Sequence, residues 1–310
     1  MKNNLSNIKK SKYYLDKGEC IAIPTETVYG LAGNAYSNKA TLKIFKLKKR
    51  TKKNPLIVHY HNLKMLNNDC ITNNQFFKLY KKFCPGPLTF VLKLKKNSKI
   101  SKNVTNNKKT LAIRFPSHPL TKKLLKFLNY PLAAPSANIS TKISPVSKED
   151  VKEEFGNKIK FILDGSKSKI GLESTIISLT GKPKILRLGG VERTKINKVL
   201  KKNIKFGKKN QKITVPGQSK LHYSPGIPIK LNTKKSKPNE AFILIKKRKK
   251  SSINYYYLSK NKNLKQAAKN LYKILRLIKN KNYKSIVVEK IPKIGLGEAI
   301  NDRLKRASGK

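Results

Sequence analysis

Short apolar runs alternate with amphipathic stretches along most of the chain. Cys20-Ile21-Ala22-Ile23 has the pattern of a short buried strand stopped by Pro24. Gly30 and Gly33 then mark a loop. Ala40, Ile44 and Leu47 fall at helical spacing and predict a helix over about 38–49, ending in Lys48-Lys49-Arg50. Further strands are predicted at 56–58, 90–94, 111–113, 161–163, 174–178 and 185–188, with helices over about 119–128 and 148–155. This alternation predicts an α/β fold with a mixed sheet.

Between about 202 and 228 the pattern breaks down. Lys, Asn and Gly dominate as far as Lys212, and two turn signals follow, Val215-Pro216-Gly217 and Ser224-Pro225-Gly226, with His222-Tyr223 between them. Beyond this stretch, 241–245 and 285–291 read as strands. Ala267, Leu271, Ile274, Leu275 and Ile278 draw the apolar face of one helix, and a last helix starts near Glu298. The Lys246–Lys250 run reads as a loop. The expected division is a first domain over 1–201, a linker over 202–230 and a small Rossmann-like α/β domain over 231–310.

Composition changes this picture in two ways. Of 310 residues, Lys and Arg account for 72 and Asp and Glu for 15, a formal net charge of +57. Two readings stay open: an RNA-facing surface that neutralises phosphates, or a compositional bias spread over solvated faces. Lysine is scattered along the whole chain and forms no single stripe. Arginine is scarce by contrast, and it is the side chain suited to planar, two-pronged capture of phosphate or carboxylate. Arg50, Arg114, Arg187 and Arg303 therefore stand out. Cys20, Cys70 and Cys84 form no Cys-x-x-Cys pair, so neither a disulfide framework nor a zinc module is indicated. No apolar run approaches a membrane span, and Met1-Lys2-Asn3-Asn4 leads into polar sequence without a signal-peptide core. A cytoplasmic location with no membrane contact is expected.

Candidate chemistry gathers in six segments. Pro24-Thr25-Glu26-Thr27-Val28-Tyr29-Gly30 places hydroxyls at a strand end, where α/β sheets bind ligands. Lys48 and Arg50, followed by Asn54 and His59, can clamp a phosphate chain or simply complement a helix C-terminus. His59 and His61 alternate, which leaves a metal pair open, although no third ligand is apparent. Arg114 lies inside the apolar strand Leu111-Ala112-Ile113 and needs a partner, either a buried acid or a ligand carboxylate. The fourth segment is Ala133-Ala134-Pro135-Ser136-Ala137-Asn138, with Ser144 after it. The fifth is Glu173-Ser174-Thr175, and the sixth is Arg187 before Gly189.

In this order the six segments resemble the threonylcarbamoyl-AMP synthase family with its YrdC-type domain, over about residues 8–200. His222-Tyr223-Ser224-Pro225 and Gly295-Leu296-Gly297-Glu298-Ala299-Ile300-Asn301-Asp302-Arg303 are similar to the linker and the last segment of its long, two-domain members. Thr51, Thr141, Ser166 and Ser178 depart from the usual pattern at loop positions.

The resemblance implies a YrdC-type twisted mixed sheet with helices and a small Rossmann-like C-terminal domain. It also implies an activity: threonine, bicarbonate and ATP condensed to threonylcarbamoyl-AMP and pyrophosphate, for tRNA threonylcarbamoyladenosine modification. Thr27, His59, Arg114, Ala134 and Ser174 would hold threonine. Lys48, Arg50, Asn54, Thr110, Ser136, Asn138, Ser144, Arg187 and Tyr223 would hold ATP, with Lys48 and Arg50 the catalytic cations. Mg²⁺ would arrive with the ATP, on no protein metal site. The product would pass to a tRNA threonylcarbamoyl-transferase. The rival reading is an RNA-binding module without catalysis, and the charge leaves weak tRNA binding open. A related carbamoyltransferase-type maturation factor would need cysteine-rich zinc modules that this sequence lacks.

Overall fold

The largest apolar runs are buried on both faces, as expected of strands covered by helices. In the computed structural model, which describes residues 2–204, 206 and 221–309, these runs build one large mixed sheet. Its strands are β1 (Ile21–Ile23), β2 (Gly30–Asn34), β3 (Ile57–His59), β4 (Cys70–Ile71), β5 (Leu88–Leu94), β6 (Thr110–Arg114), β7 (Leu132–Ala133), β8 (Thr175–Ser178) and β9 (Lys184–Arg187). They lie in the order β1-β2-β7-β3-β6-β5-β8-β9, with β4 on β5. The β3–β6 and β5–β8 pairs are parallel and the other pairs antiparallel. Helices Asn38–Leu47, Asn74–Phe83, Pro119–Phe127 and Lys148–Phe155 pack around it. Their starts have local causes. The Ser37 hydroxyl accepts from the Ala40 amide at 3.1 Å, and Ser147 with Asp150 forms a reciprocal capping box.

A second sheet, wholly parallel, is made of β10 (Ile229–Leu231), β11 (Glu240–Lys246), β12 (Tyr255–Ser259) and β13 (Ser285–Val288), in the order β10-β13-β11-β12. Helix Leu264–Lys279 connects β12 to β13, and helix Leu296–Ala307 ends the unit. A parallel sheet with one crossover helix, Leu264–Lys279, and a second helix after its last strand is the small α/β unit expected here.

Three sequence expectations need correcting, and one element was not foreseen. Gly30 and Gly33 do not mark a loop but lie in β2, where small residues are needed: a side chain at Gly33 would meet Ile44 at 3.3 Å. Residues 161–163 do not form a ladder strand. They exchange two backbone bonds with Ala22 and then turn away. The C-terminal unit begins at Ile229, inside the stretch read as linker, because β10 pairs with β13. The N-terminal helix Lys2–Asp16 had no signal, since its buried positions Ile8, Ser11 and Leu15 include a serine that breaks the apolar stripe. Val215-Pro216-Gly217 and most of the expected linker lie outside the described residues.

The two units are joined by apolar and ionic contacts. Val28, Ile143, Val146 and Leu172 of the first unit belong to the same buried cluster as Leu271, Tyr272, Leu275 and Ile300 of the second. Arg276 reaches from the second unit to Glu153 at 3.1 Å, and to Glu154 at 3.4 Å. Gly171 approaches helix Leu264–Lys279 so closely that a Cβ there would lie 2.6 Å from the Lys269 Cα.

Candidate active site

The register of β3 and β6 decides where the site begins. His59 and Arg114 are direct partners in this parallel pair, so their side chains emerge together at the strand ends. The loop Pro24–Tyr29 leaves β1 on the same side. Thr25 organises it: its hydroxyl oxygen accepts from the Thr27 and Val28 amides at 3.2 Å, a local turn that serine and threonine side chains stabilise. Thr27 is thereby held with its hydroxyl accepting from Arg114 Nη1 at 2.8 Å.

Arg114 is buried, and each of its three side-chain nitrogens faces a group of the protein. Nε donates to the Gly86 carbonyl at 3.2 Å and Nη2 lies 2.6 Å from Glu26 Oε1. Of the two partners left open by the sequence, the protein itself supplies the acid. Arg114 nonetheless remains part of the cavity wall.

One narrow cavity brings the segments together. Thr27, Arg50, His59, Arg114, Ala134, Ser136, Ser174, Arg187 and Tyr223 all line it, with Thr25, Glu173 and His222. Arg50 follows helix Asn38–Leu47 and is fixed by donating to the Asn54 and Pro55 carbonyls at 3.0 and 2.9 Å. Arg187, at the end of β9, donates through Nε and Nη2 to the Ser174 carbonyl at 3.1 and 2.9 Å. Burial, and then the neighbouring Arg187 charge, lower Arg50 to about 9. Two guanidinium groups are thus crowded together in one wall, an arrangement suited to a polyanion.

Other predicted residues stand behind the wall. Lys48 is buried, with Nζ donating to the Ser136 and Asn138 carbonyls. Burial and the Arg50 charge push it well below the ordinary lysine value. Asn138 donates to the Ile139 and Lys142 carbonyls at 2.8 and 2.9 Å, fixing the turn after Ser136. Ser144 donates to Glu173 at 2.6 Å. Asn54 is buried beside Arg50 with Oδ1 unpartnered. Thr110 sits at the opposite end of β6 from Arg114 and does not line the cavity. His61 is absent from the wall as well, and among the described residues no group of three His, Cys, Asp or Glu could hold a metal ion.

His222 and Tyr223 cover the cavity from the end of the linker. Both are buried, and their rings lie 4.0 Å apart. Tyr223 stacks on Tyr272 of the second unit at 5.7 Å and faces the Arg303 guanidinium at 4.9 Å. Burial drives His222 down to about 3, with Arg50, Lys48 and Arg303 adding to the effect against the opposing Glu173. Burial and then Arg114 keep His59 well below its ordinary value, so both rings are neutral near pH 7. Among the described residues, His59 Nδ1, His222 Nδ1 and the Tyr223 hydroxyl find no hydrogen-bond partner. Buried polar atoms are rarely left this way, and a polar ligand would satisfy them.

Sequence reading did not assign roles to Thr25, Glu26, Glu173, His222 or Arg303. Glu26 and Glu173 lie inside the segments Thr25-Glu26-Thr27 and Glu173-Ser174-Thr175. Arg303 carried the same signal as the other three arginines, an Arg in a Lys background.

Two family profiles cover nearly the whole chain. One, described as "Telomere recombination" for the Sua5/YciO/YrdC group, matches residues 13–189. The chain belongs to this family. The second, "Threonylcarbamoyl-AMP synthase, C-terminal domain", matches residues 191–309. Particular relatives follow from the pair. The chain is 35% identical to the threonylcarbamoyl-AMP synthase of Pyrococcus abyssi, over 96% of this chain and 92% of that protein. It is 32% identical to that of Bacillus subtilis, over 100% and 95%. Among solved structures, P. abyssi Sua5 complexed with L-threonine superposes with a TM-score of 0.89 at 33% identity, covering 97% of this chain and 94% of the other.

Proposed function

We propose that this protein is an L-threonylcarbamoyladenylate synthase serving tRNA threonylcarbamoyladenosine formation. The observation that carries the reading is the junction of two halves in one cavity. Thr27, His59 and Arg114 form one half, and Arg50 and Arg187, with Ser136, form the other. The first half suits an amino acid, the second a nucleotide. The relatives named above, and the threonine complex of one of them, support the same assignment.

In the proposed reaction the threonine amine adds to CO₂ derived from bicarbonate and loses a proton, giving a carbamate. A carbamate oxygen attacks the α-phosphorus of ATP, the bond to the β-phosphate bridging oxygen breaks, and pyrophosphate leaves. Arg114, Thr27, His59, Ser174 and the backbone at Ala134 hold threonine. Arg50, Asn54, Ser136, Asn138, Ser144, Arg187 and Tyr223 bind or frame the nucleotide, whereas Thr110, at the far end of β6, takes no part. Lys48 acts by bracing the Ser136–Asn138 turn, and its charge complements the phosphates once they draw near. No side chain need form a covalent intermediate. Alignment of two reactants can lower a barrier by about 7–11 kcal/mol, and fixed guanidinium charges oppose the charge that builds on the leaving group. Mg²⁺ enters as part of the MgATP substrate, on phosphate oxygens.

A passive RNA-binding module would have no use for guanidiniums gathered in one narrow cavity. The protein is proposed to act in the cytoplasm and to deliver its product to a tRNA-modifying transferase; no helix among the described residues is long and apolar enough to cross a membrane. The test is direct. Purified protein with threonine, bicarbonate and MgATP should release pyrophosphate, and omission of any one substrate should stop it. Release that continues without threonine would overturn the assignment.

A further inference from the structure

Glu173 presents a problem for a phosphate-binding cavity. It is the acidic residue in the wall, and its chain neighbour Ser174 supplies the carbonyl that holds Arg187. A bare carboxylate there would repel a triphosphate and compete for Arg187. The C-terminal unit answers this with Arg303, which is completely buried and whose Nε donates to Glu173 Oε2 at 2.7 Å. Tyr272 of the same unit adds its hydroxyl at 3.0 Å to both carboxylate oxygens, and Ser144 donates at 2.6 Å. Arg303 is itself fixed: Nη1 donates to Asp302 at 2.7 Å and Nη2 to the Leu188 carbonyl at 2.8 Å.

We infer that Arg303 is a positioning residue for the nucleotide half of the site, occupying the Glu173 carboxylate so that Arg187 can serve the phosphates of ATP. The inference rests on the proposed function for the identity of the nucleotide. Burial alone would raise the Glu173 carboxyl; the Arg303 charge, then Arg187 and the Ser144 and Arg303 hydrogen bonds, outweigh it and hold the group at about 2. Glu173 therefore keeps its charge at neutral pH, and that charge must be matched by a partner other than the ligand's own. The scaffold role commonly given to an appended domain would not need a guanidinium at this point. Apolar packing would dock the units as well.

The test is a double-substitution cycle on the full chain, reading MgATP and threonine affinities separately by calorimetry. R303M should weaken MgATP by about tenfold or more, the scale of one lost charge-assisted contact. Threonine affinity should change by less than about threefold. In the E173Q background, where the competing charge is gone, adding R303M should change MgATP affinity by less than about threefold. An equal loss in both backgrounds, or equal losses for MgATP and threonine, would overturn the inference. If R303M alone does not fold, R303M/E173Q against E173Q carries the same decision. Binding is read instead of turnover, so a wild-type protein that binds MgATP but releases no pyrophosphate would count against the proposed reaction and not against this role.

Discussion

Arg114 and Glu26 meet 2.6 Å apart in the interior, one at the end of β6 and the other in the loop that follows β1. Both are buried, and Glu26 Oε2 also accepts from the Ser117 amide at 3.1 Å. The pair couples the strand carrying one wall of the cavity to the loop carrying Thr27.

Removing one member of such a pair strands the other. Arg114→Ala is expected to destabilise the protein by about 3–5 kcal/mol, the usual result of leaving a buried charge alone. Adding Glu26→Gln should recover most of that loss in urea denaturation. Threonine-dependent pyrophosphate release should stay low in both variants. Recovery of activity together with stability would show that Arg114 serves only the fold.

Arg50→Ala should reduce pyrophosphate release by at least about 100-fold, the scale of removing a fixed donor to developing charge. Among the described residues Arg50 donates to the carbonyls of its own loop, at Asn54 and Pro55, so the far-ultraviolet spectrum and the melting temperature should stay near wild type. Wild-type release in this variant would refute the phosphate clamp.

Gly189 tests the wall from behind. A Cβ at this position would lie 2.3 Å from the Glu173 carbonyl oxygen and 2.5 Å from the Ser174 carbonyl carbon, both backbone atoms that cannot swing aside. Gly189→Ala should cost about 1–3 kcal/mol as an overpacked site and displace the Ser174 carbonyl that holds Arg187. MgATP affinity should fall more than threonine affinity. Unchanged MgATP affinity would separate Arg187 from the nucleotide.

The pH dependence has a definite sign. His222 drops from 6.5 in the unfolded chain to about 3 when folded, so between those values the unfolded state binds more protons. The stability that comes from keeping it neutral is complete above pH 6.5 and is lost as pH falls toward 3. His59 shifts in the same direction. The loss can reach about 1.4 kcal/mol per pH unit for each such histidine. Unfolding free energies between pH 7 and 4 should show this slope, and His222→Asn should flatten it. A wild-type profile that is flat below pH 6.5 would contradict the burial of these rings.

Much of this site was legible because each motif carries its own chemistry. Arg114 announced itself as a charge inside an apolar strand, and Arg50 and Arg187 as arginines among lysines. What the sequence could not give was partnership. Glu26 stands 88 residues before Arg114, and Glu173 stands 130 before Arg303; no local spacing links either pair. The fold showed the same limit. Apolar runs predicted β5 and β6, whereas β2 was hidden behind two glycines, of which Gly33 packs against the side chain of Ile44 and Gly30 against Ala134.

The mixed apolar cluster formed by Val28, Ile143, Val146 and Leu172 with Leu271, Tyr272 and Ile300 bears on how the gene can be cut. The chain reads as two modules, yet it cannot be divided like two modules. Expression of residues 1–201 alone would turn those four side chains outward as a sticky patch and leave Glu173 without Arg303 and Tyr272 beside the cavity wall. A truncated product would then aggregate before its chemistry could be measured, and any engineered single-domain version must first replace that patch with polar side chains and Glu173 with an uncharged one.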